Sequence, residues 1–176
     1  NTMSASVGGD ESGTVGANQS LSVTANCATE TAGSKTVTVG GNDDWGITGN
    51  FGFNTAGDRT EDIGGLLNVL SNKVAEEIGG SLTRSVGAVQ TIASATAIAE
   101  TVGGNKTETV AAAKAILTPG EHSESFSGVK TLTSGAVTVK TGEDVTYGAK
   151  GAIAVTAGGV IQIQCADDAM FSGSQV

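Results

Sequence analysis

The chain has 176 residues, among them 27 glycines and one proline, and only 3% of its residues are aromatic. So few large side chains cannot fill a wide globular core, which indicates a narrow interior built from small residues. Nine basic residues against 18 acidic ones leave a net charge of -9, which argues against a nucleic-acid-binding surface.

An eight-residue repeat, here called the octad, runs from Val7 to Gly65. Its first residue, the opener, is β-branched, and its third residue is glycine or alanine. This pattern is typical of a short strand that turns sharply once per octad. The openers are Val7, Val15, Val23, Thr31, Val39, Ile47, Thr55 and Ile63, and the third residues are Gly9, Ala17, Ala25, Gly33, Gly41, Gly49, Gly57 and Gly65.

Several openers are preceded by an apolar residue two positions earlier, as in Leu21/Val23 and Val37/Val39. This spacing places both side chains on one face of a strand. A stripe of two apolar residues is too small to hold an isolated strand or hairpin in water. The octad strands must therefore stack on one another.

Ile63 and Ile78 are fifteen residues apart rather than sixteen, so we predict an irregular short block at 71–77. The octads then resume one position early. Helix-like spacing of apolar residues over 64–78 leaves a helical interruption open, but the return of the eight-residue spacing in segment 102–110 favours continued β-structure. The later pairs of opener and third residue are Ile78/Gly80, Val86/Ala88, Val102/Gly104 and Val110/Ala112, with weaker copies at Ser94/Thr96, Thr118/Gly120, Phe126/Gly128 and Ser134/Ala136.

The last third of the chain has the most regular strand pattern, so we expect the best-packed part of the rod there. Its alternating apolar pairs are Val137/Val139, Val145/Tyr147, Ile153/Val155, Ile161/Ile163 and Ala169/Phe171. We divide the chain into a fragment start at 1–6, octads at 7–70, the short block at 71–77, and octads continuing towards a tip at 78–176. Cys27 and Cys165 are predicted to be small buried residues.

The segments VGGDESGTVGANQSLSV, VGGNDDWGI and VGGNKTETV resemble the octads of the triple-stranded β-helix in VgrG spike proteins of type VI secretion systems and in tail needles of contractile phages. The resemblance implies an all-β, three-sided, intertwined β-helix formed by a parallel homotrimer. It also implies a structural spike that punctures cells and carries effectors or a PAAR-type tip protein at its C-terminal end. Such a spike is assembled in the bacterial cytoplasm and translocated into a target cell.

Chemistry-bearing residues are few, and we predict no enzymatic activity, cofactor or metal site. His122 is expected to be a solvated corner residue. The pairs Asp43/Asp44, Glu76/Glu77 and Asp167/Asp168 are poorly placed to converge, because adjacent strand residues point to opposite faces. The alternative function is a trimeric tail fibre that binds a receptor or glycan. A β-helical polysaccharide lyase or glycosidase is disfavoured, because long loops with clustered acids and aromatics are missing.

Overall fold

The structure, a computed structural model, describes residues 2–173, which form an all-β, all-parallel solenoid of about seven turns. Strand pairing joins all of the strands into one sheet that coils on itself. Residues 2–173 contain no helix with the length and hydropathy needed to cross a membrane. The strands are β1 Met3–Val7, β2 Glu11–Val15, β3 Gln19–Val23, β4 Cys27–Thr31, β5 Lys35–Val39, β6 Asp43–Thr55, β7 Arg59–Ile63, β8 Leu67–Ile78, β9 Leu82–Val86, β10 Gln90–Ser94, β11 Ile98–Val102, β12 Lys106–Thr118, β13 His122–Phe126, β14 Lys130–Thr141, β15 Val145–Ala149, β16 Ile153–Ala157, β17 Ile161–Gln164 and β18 Ala169–Ser172.

Each octad strand pairs with the strand three octads later, as in Met3 with Cys27 and Lys106 with Lys130. Three octads therefore make one turn, and the solenoid has three faces. Strands β6, β8, β12 and β14 each cross a corner and contribute one half to each of two faces. Face 1 holds β1, β4, β11, β13, β15, β18 and the second halves of β6 and β8; face 2 holds β2, β5, β7, β9, β16 and the first halves of β12 and β14; face 3 holds β3, β10, β17 and the remaining halves.

The β-helix implied by the resemblance is confirmed as an all-β, all-parallel solenoid of one chain. The helical alternative for 64–78 is wrong, because Leu67–Ile78 is strand β8. Backbone hydrogen bonds between successive layers run within the one chain, for example from the Gly65 N–H to the Gly41 carbonyl at 2.9 Å. Strands three octads apart in the same chain therefore satisfy one another's backbone groups.

The missing residue in the short block is removed from a corner and not from a strand. Ile47 of β6 pairs with Ser71 of β8, and the next pair after the corner is Asn50 with Lys73. The strand that follows keeps its normal register. A second shortened corner, which the sequence analysis did not identify, lies where Val110 pairs with Ser134 and Ala113 with Ala136.

We expect the backbone amides of Asn72 and Lys73 to exchange with solvent faster than those of Lys106–Val110. The shortened corner interrupts the ladder at the first site, whereas residues 106–110 pair without a break on both sides. Hydrogen–deuterium exchange read by mass spectrometry or NMR measures this difference. Equal protection at the two sites would mean that the short corner is accommodated without any local loosening.

The third-position glycines lie at corners where the layers approach closely. None of the described glycines has a positive φ, so left-handed backbone is not the reason for glycine here. A Cβ added at Gly49 would lie 2.5 Å from Asn26 Oδ1 and 2.6 Å from the carbonyl carbon of Ala25 in the layer below. Glycine is therefore required because successive corners stack closely. The sequence had suggested a different reason, a sharp turn within each octad.

The close approach of successive corners involves the fourth residue of the octad, which follows the third-position glycine. An Asn, Asp or Ser there points its side-chain oxygen along the solenoid and accepts the backbone N–H of the equivalent corner one turn later. Asn42 Oδ1 accepts the Leu66 N–H at 3.0 Å, and Asn105 Oδ1 accepts the Val129 N–H at 2.9 Å. For every acceptor except Asp144, this oxygen occupies the space that a side chain on the glycine of the next layer would need; the equivalent residue above Asp144 is Asp167. The acceptors in this corner ladder are Asp10, Asn18, Asn26, Ser34, Asn42, Asp58, Ser81, Asn105 and Asp144.

Replacing Asn42 with alanine should lower the free energy of unfolding by about 1 kcal/mol, because the Leu66 N–H loses its acceptor. Asn54→Ala is the matched control, since Asn54 is an exposed residue near the end of β6. Denaturant unfolding of the two variants measures the difference. Equal losses would show that the corner bond contributes nothing beyond the asparagine side chain itself.

Candidate functional site

The interior of the solenoid holds a ladder of charged side chains beside its apolar core. This set, here called the ion column, contains five carboxylates and five basic groups, all buried. Each of them lies either two or four positions before an opener, on the inward side of its strand, and together they occupy all three faces. Its members are Arg59, Glu61, Glu76, Arg84, Glu100, Lys106, Glu108, Lys114, Glu124 and Lys130.

On face 1 three glutamates stack in register, because Glu100 pairs with Glu76 below and with Glu124 above. Like charges at this spacing repel in a low-dielectric interior. Basic groups on face 2 separate and neutralise them: Lys106 Nζ lies 2.8 Å from Glu100 and 3.1 Å from Glu124. Arg84 Nη2 likewise lies 3.2 Å from Glu76. These ion pairs thus join face 1 to face 2.

Glu108 is the most connected carboxylate of the column. Its oxygens lie 3.4 Å from Arg84 Nη1 and 3.2 Å from Lys106 Nζ, and Lys114 donates to it as well. Burial alone would raise its pKa, but these three cations outweigh burial and hold the pKa of Glu108 well below its usual range. The ionised form is therefore the one that the fold requires.

The pKa values of other members of the column are set by the same balance between burial and neighbouring charges. Burial opposes ionisation of Glu61, but Arg59 and Arg84 lower the pKa of Glu61 to about 2. Burial lowers the pKa of Lys130 to about 8, and its contact with Glu124 offsets only part of that effect. Several buried polar atoms have no hydrogen-bond partner among the described residues, including Arg59 Nε and Glu100 Oε1. The column is therefore costly to bury and sensitive to the loss of any member.

His122 is 1% exposed, so the prediction of a solvated corner residue is wrong. Counting back from Phe126, His122 and Glu124 fall four and two positions before the opener, on the inward side of β13. Its Nε2 lies 3.1 Å from Glu124 Oε1, and its ring meets Tyr147 edge-on with centroids 5.4 Å apart. Burial lowers the pKa of His122 despite the neighbouring carboxylate. The octad phase, applied to this segment, could have placed it correctly.

The paired acids lie as the alternation of strand residues predicts in two cases. Asp43 and Glu76 are buried while Asp44 is half-buried and Glu77 is exposed. Asp167 and Asp168 lie between β17 and β18 and are both exposed. The prediction of two buried cysteines is correct for Cys27 and wrong for Cys165, which is half-buried. Residues 2–173 contain no group of three or more potential ligands that could hold a metal ion.

The predicted repeat positions occupy two kinds of place. The openers lie at the ends of strands and point inward. Val7 and Val15 are half-buried, and the other openers named in the sequence analysis, from Val23 to Ser134, are buried. The third-position glycines lie in the corners. The buried openers among the predicted positions are Val39, Ile47, Ile63, Ile78, Val86 and Val102, with Val7 and Val15 half-buried, and the corner glycines are Gly9, Gly41, Gly49, Gly65, Gly80, Gly104, Gly120 and Gly128.

The Asp43 carboxyl group should make stability depend on pH in the direction opposite to the ion column. Burial raises its pKa to about 6, although Trp45 donates a hydrogen bond to it. Because the folded chain binds this proton more tightly than the unfolded chain, Asp43 destabilises the fold above its pKa, and this penalty disappears as pH falls. The melting temperature of Asp43→Asn should therefore exceed that of the parent chain near neutral pH.

The advantage of Asp43→Asn should shrink as the pH is lowered through about 6, which thermal unfolding across pH measures. Asp44→Asn is the control, because Asp44 is adjacent but lies on the outward side of the same strand. An advantage that does not change with pH, or that Asp44→Asn shares, would contradict this assignment.

The charged groups of the column are enclosed, so their contribution is to the structure of the interior. Comparison of the chain with models of protein families, with curated protein sequences and with solved structures gave no match. The likeness to spike proteins is therefore a resemblance of octad sequences, and the solenoid is compatible with it.

Proposed function

We propose that this chain forms a shaft segment of the cell-puncturing spike of a contractile injection machine, such as a type VI secretion system. The observation that supports it best is the smooth side of the rod. Between Met3 and Ser172 every connection between successive strands is three or four residues long. Binding and catalytic residues are usually carried on longer loops, whereas a shaft that must pass through a membrane benefits from having none.

The aromatic side chains favour a shaft over a receptor- or glycan-binding fibre. A fibre that stacks sugars needs exposed aromatic rings, but Phe51, Phe53, Phe126 and Tyr147 are buried in the solenoid. Phe51 packs against Trp45 with ring centroids 5.3 Å apart. These rings therefore contribute to the core.

The assembly that we propose for the shaft is a parallel, intertwined homotrimer. About seven turns of a single chain, at about 4.7 Å each, give a rod of roughly 33 Å, which barely exceeds the ~30 Å hydrocarbon core of a bilayer. Three intertwined chains rise by one layer per octad and reach on the order of 100 Å. Only the longer rod would project well beyond a membrane that it pierces.

The octads are suited to exchange between chains. The corner ladder uses the same acceptor position and the same backbone donor in successive octads, as Asn18 with Asn42 and Asn26 with Asn50. An octad could therefore stack on the next octad of a neighbouring chain with the same kind of corner bonds that it makes within its own chain. A PAAR-type tip protein or an effector would bind at the C-terminal end, where Ile161 and Phe171 are exposed; residues 174–176 lie outside the described part.

A graft tests this function directly. The chain would replace the shaft of a type VI spike, fused to that spike's own trimeric hub, in a strain that lacks the native shaft. We expect secretion of the tube protein and killing of a competitor strain to be restored. The control graft carries Gly104→Val, which disrupts a corner. A folded wild-type graft that restores neither activity, in a strain that the native shaft rescues, would contradict the proposal.

A further inference from the structure

Two columns of hydroxyl side chains run along the outside of face 2. The first column lies three positions before the openers and consists of Ser12, Thr36, Thr60, Thr83, Thr107 and Thr131. The second lies one position before the openers and consists of Thr14, Thr38, Ser85, Thr109, Thr133 and Thr156, with Asp62 as the one exception along the way. This surface is here called the threonine face.

The preference of threonine for strands does not explain this concentration. The same outward positions exist on all three faces, and each face offers fourteen of them from its first seven strands. Face 2 has threonine at ten of these positions, whereas faces 1 and 3 have it at two each. Face 1 instead carries small residues such as Ala75 and Ala99, and face 3 carries Leu70 and Leu117.

The threonine face is regular in two directions. Along the solenoid its strands pair without a register shift, so equivalent hydroxyls repeat about every 4.7 Å. Across the face the two columns are two residues apart on each strand, which is roughly 6.6 Å. Threonine is stiff at χ1, and a fully paired backbone beneath it holds its methyl and hydroxyl groups in fixed positions.

The chemistry of the face excludes several kinds of partner. Asp62 is the one charged residue among its outward positions in the described strands, so phosphate groups of nucleic acids or lipids find no cation there. These positions also carry no aromatic ring for stacking on a sugar. What remains is a rigid lattice of hydroxyl and methyl groups, which can order a layer of water through hydrogen bonds and apolar contact.

We propose that the threonine face binds ice. Its two repeats are close to those at which oxygen atoms recur on the prism faces of hexagonal ice, so water held between the columns can join the crystal lattice. This activity belongs to the single-chain solenoid, in which face 2 stacks only on itself. In an intertwined trimer, octads of all three faces would alternate along each side and interrupt both columns, so ice binding does not rest on the proposed shaft.

The test is ice shaping and thermal hysteresis of the intact chain in a nanolitre osmometer, with serum albumin as the inert reference. The parent chain should facet growing ice crystals and separate the freezing point from the melting point. Thr109→Tyr should abolish both effects, because the larger ring interrupts the second column. Thr101→Tyr is the matched control: both threonines sit in the same Glu-Thr-Val context and both are exposed, but Thr101 lies on face 1.

The proposal would be supported if Thr109→Tyr loses ice shaping and thermal hysteresis, Thr101→Tyr keeps both, and the two variants have equal melting temperatures. A parent chain that behaves like albumin would overturn it. Equal loss in both variants would also overturn it, because the effect would then not belong to face 2. Adsorption to insoluble cellulose or chitin without any effect on ice would replace ice with a polysaccharide as the ligand and would equally refute the assignment.

Discussion

Glu108→Gln is expected to lower the free energy of unfolding by about 3–5 kcal/mol, the largest effect of any single substitution considered for this chain. The exchange preserves the size of the side chain but removes the charge that neutralises Arg84, Lys106 and Lys114. These cations are buried and cannot turn to water. Lys114 loses its one ion pair among the described residues, and Arg84 and Lys106 each lose one of several, so their desolvation is less well compensated. Chemical denaturation followed by circular dichroism measures the loss.

Glu77→Gln is the control for this prediction. Glu77 lies on the outward side of β8 and is exposed, so its exchange should change stability by no more than about 0.5 kcal/mol. If the two variants unfold at the same denaturant concentration, Glu108 is not part of a mutually dependent buried network, and the description of the ion column would have to be abandoned.

The second large effect is expected from valine at a corner glycine. In Gly104→Val the added Cβ would lie 2.5 Å from Ser81 Oγ and 3.1 Å from the Gly80 carbonyl oxygen. Gly41→Val would bring its Cβ against Asn18 Oδ1 and 3.1 Å from the carbonyl carbon of Ala17. Because the corners below cannot move without breaking ladder bonds, each variant should lose about 1–3 kcal/mol.

Gly9→Val provides the matched control, because Gly9 occupies the same octad position but an added Cβ there meets nothing within 4 Å. Its melting temperature should stay close to that of the parent chain, while those of Gly41→Val and Gly104→Val fall. Unchanged melting temperatures in both corner variants would show that close stacking of corners is not what selects glycine in the octad.

The octad period predicted most of the fold. Openers such as Val39 and Val102 lie in the interior, and glycines lie at the corners. The regular spacing of β-branched openers and small third residues marked both kinds of position in the sequence. The period could not show which octads are neighbours, since every octad offers the same strand and corner to every other. Pairing three octads apart within one chain therefore emerged only from the structure.

The charged interior was missed for a related reason. Apolar residues were taken to mark the inward side, so Lys106 and Glu108 of the segment NKTETV attracted no attention. The phase of the octad places both residues inward regardless of their polarity, and each is 1% exposed. Their burial is tolerated because partners of opposite charge occupy the same level, which depends on contacts between faces that no local pattern records.

The corner ladder was within reach of the sequence. Asn, Asp or Ser recurs at the fourth octad position, as in Asn18, Asn42 and Asn105, and this regularity was visible beside the glycines. Residues of this kind accept backbone hydrogen bonds in turns. What the sequence did not show is that the accepted N–H belongs to the next turn of the solenoid and not to the same corner.

The particle mass in solution, measured by light scattering coupled to size-exclusion chromatography, tests the proposed shaft most directly. The account predicts three times 17.2 kDa at all accessible concentrations, because chains that share every layer have no separate folded monomer. X-ray scattering of the same sample should give a rod on the order of 100 Å long. A stable folded particle of 17.2 kDa would contradict the trimeric shaft, because the single-chain solenoid, which pairs its layers within one chain, would then be the form in solution.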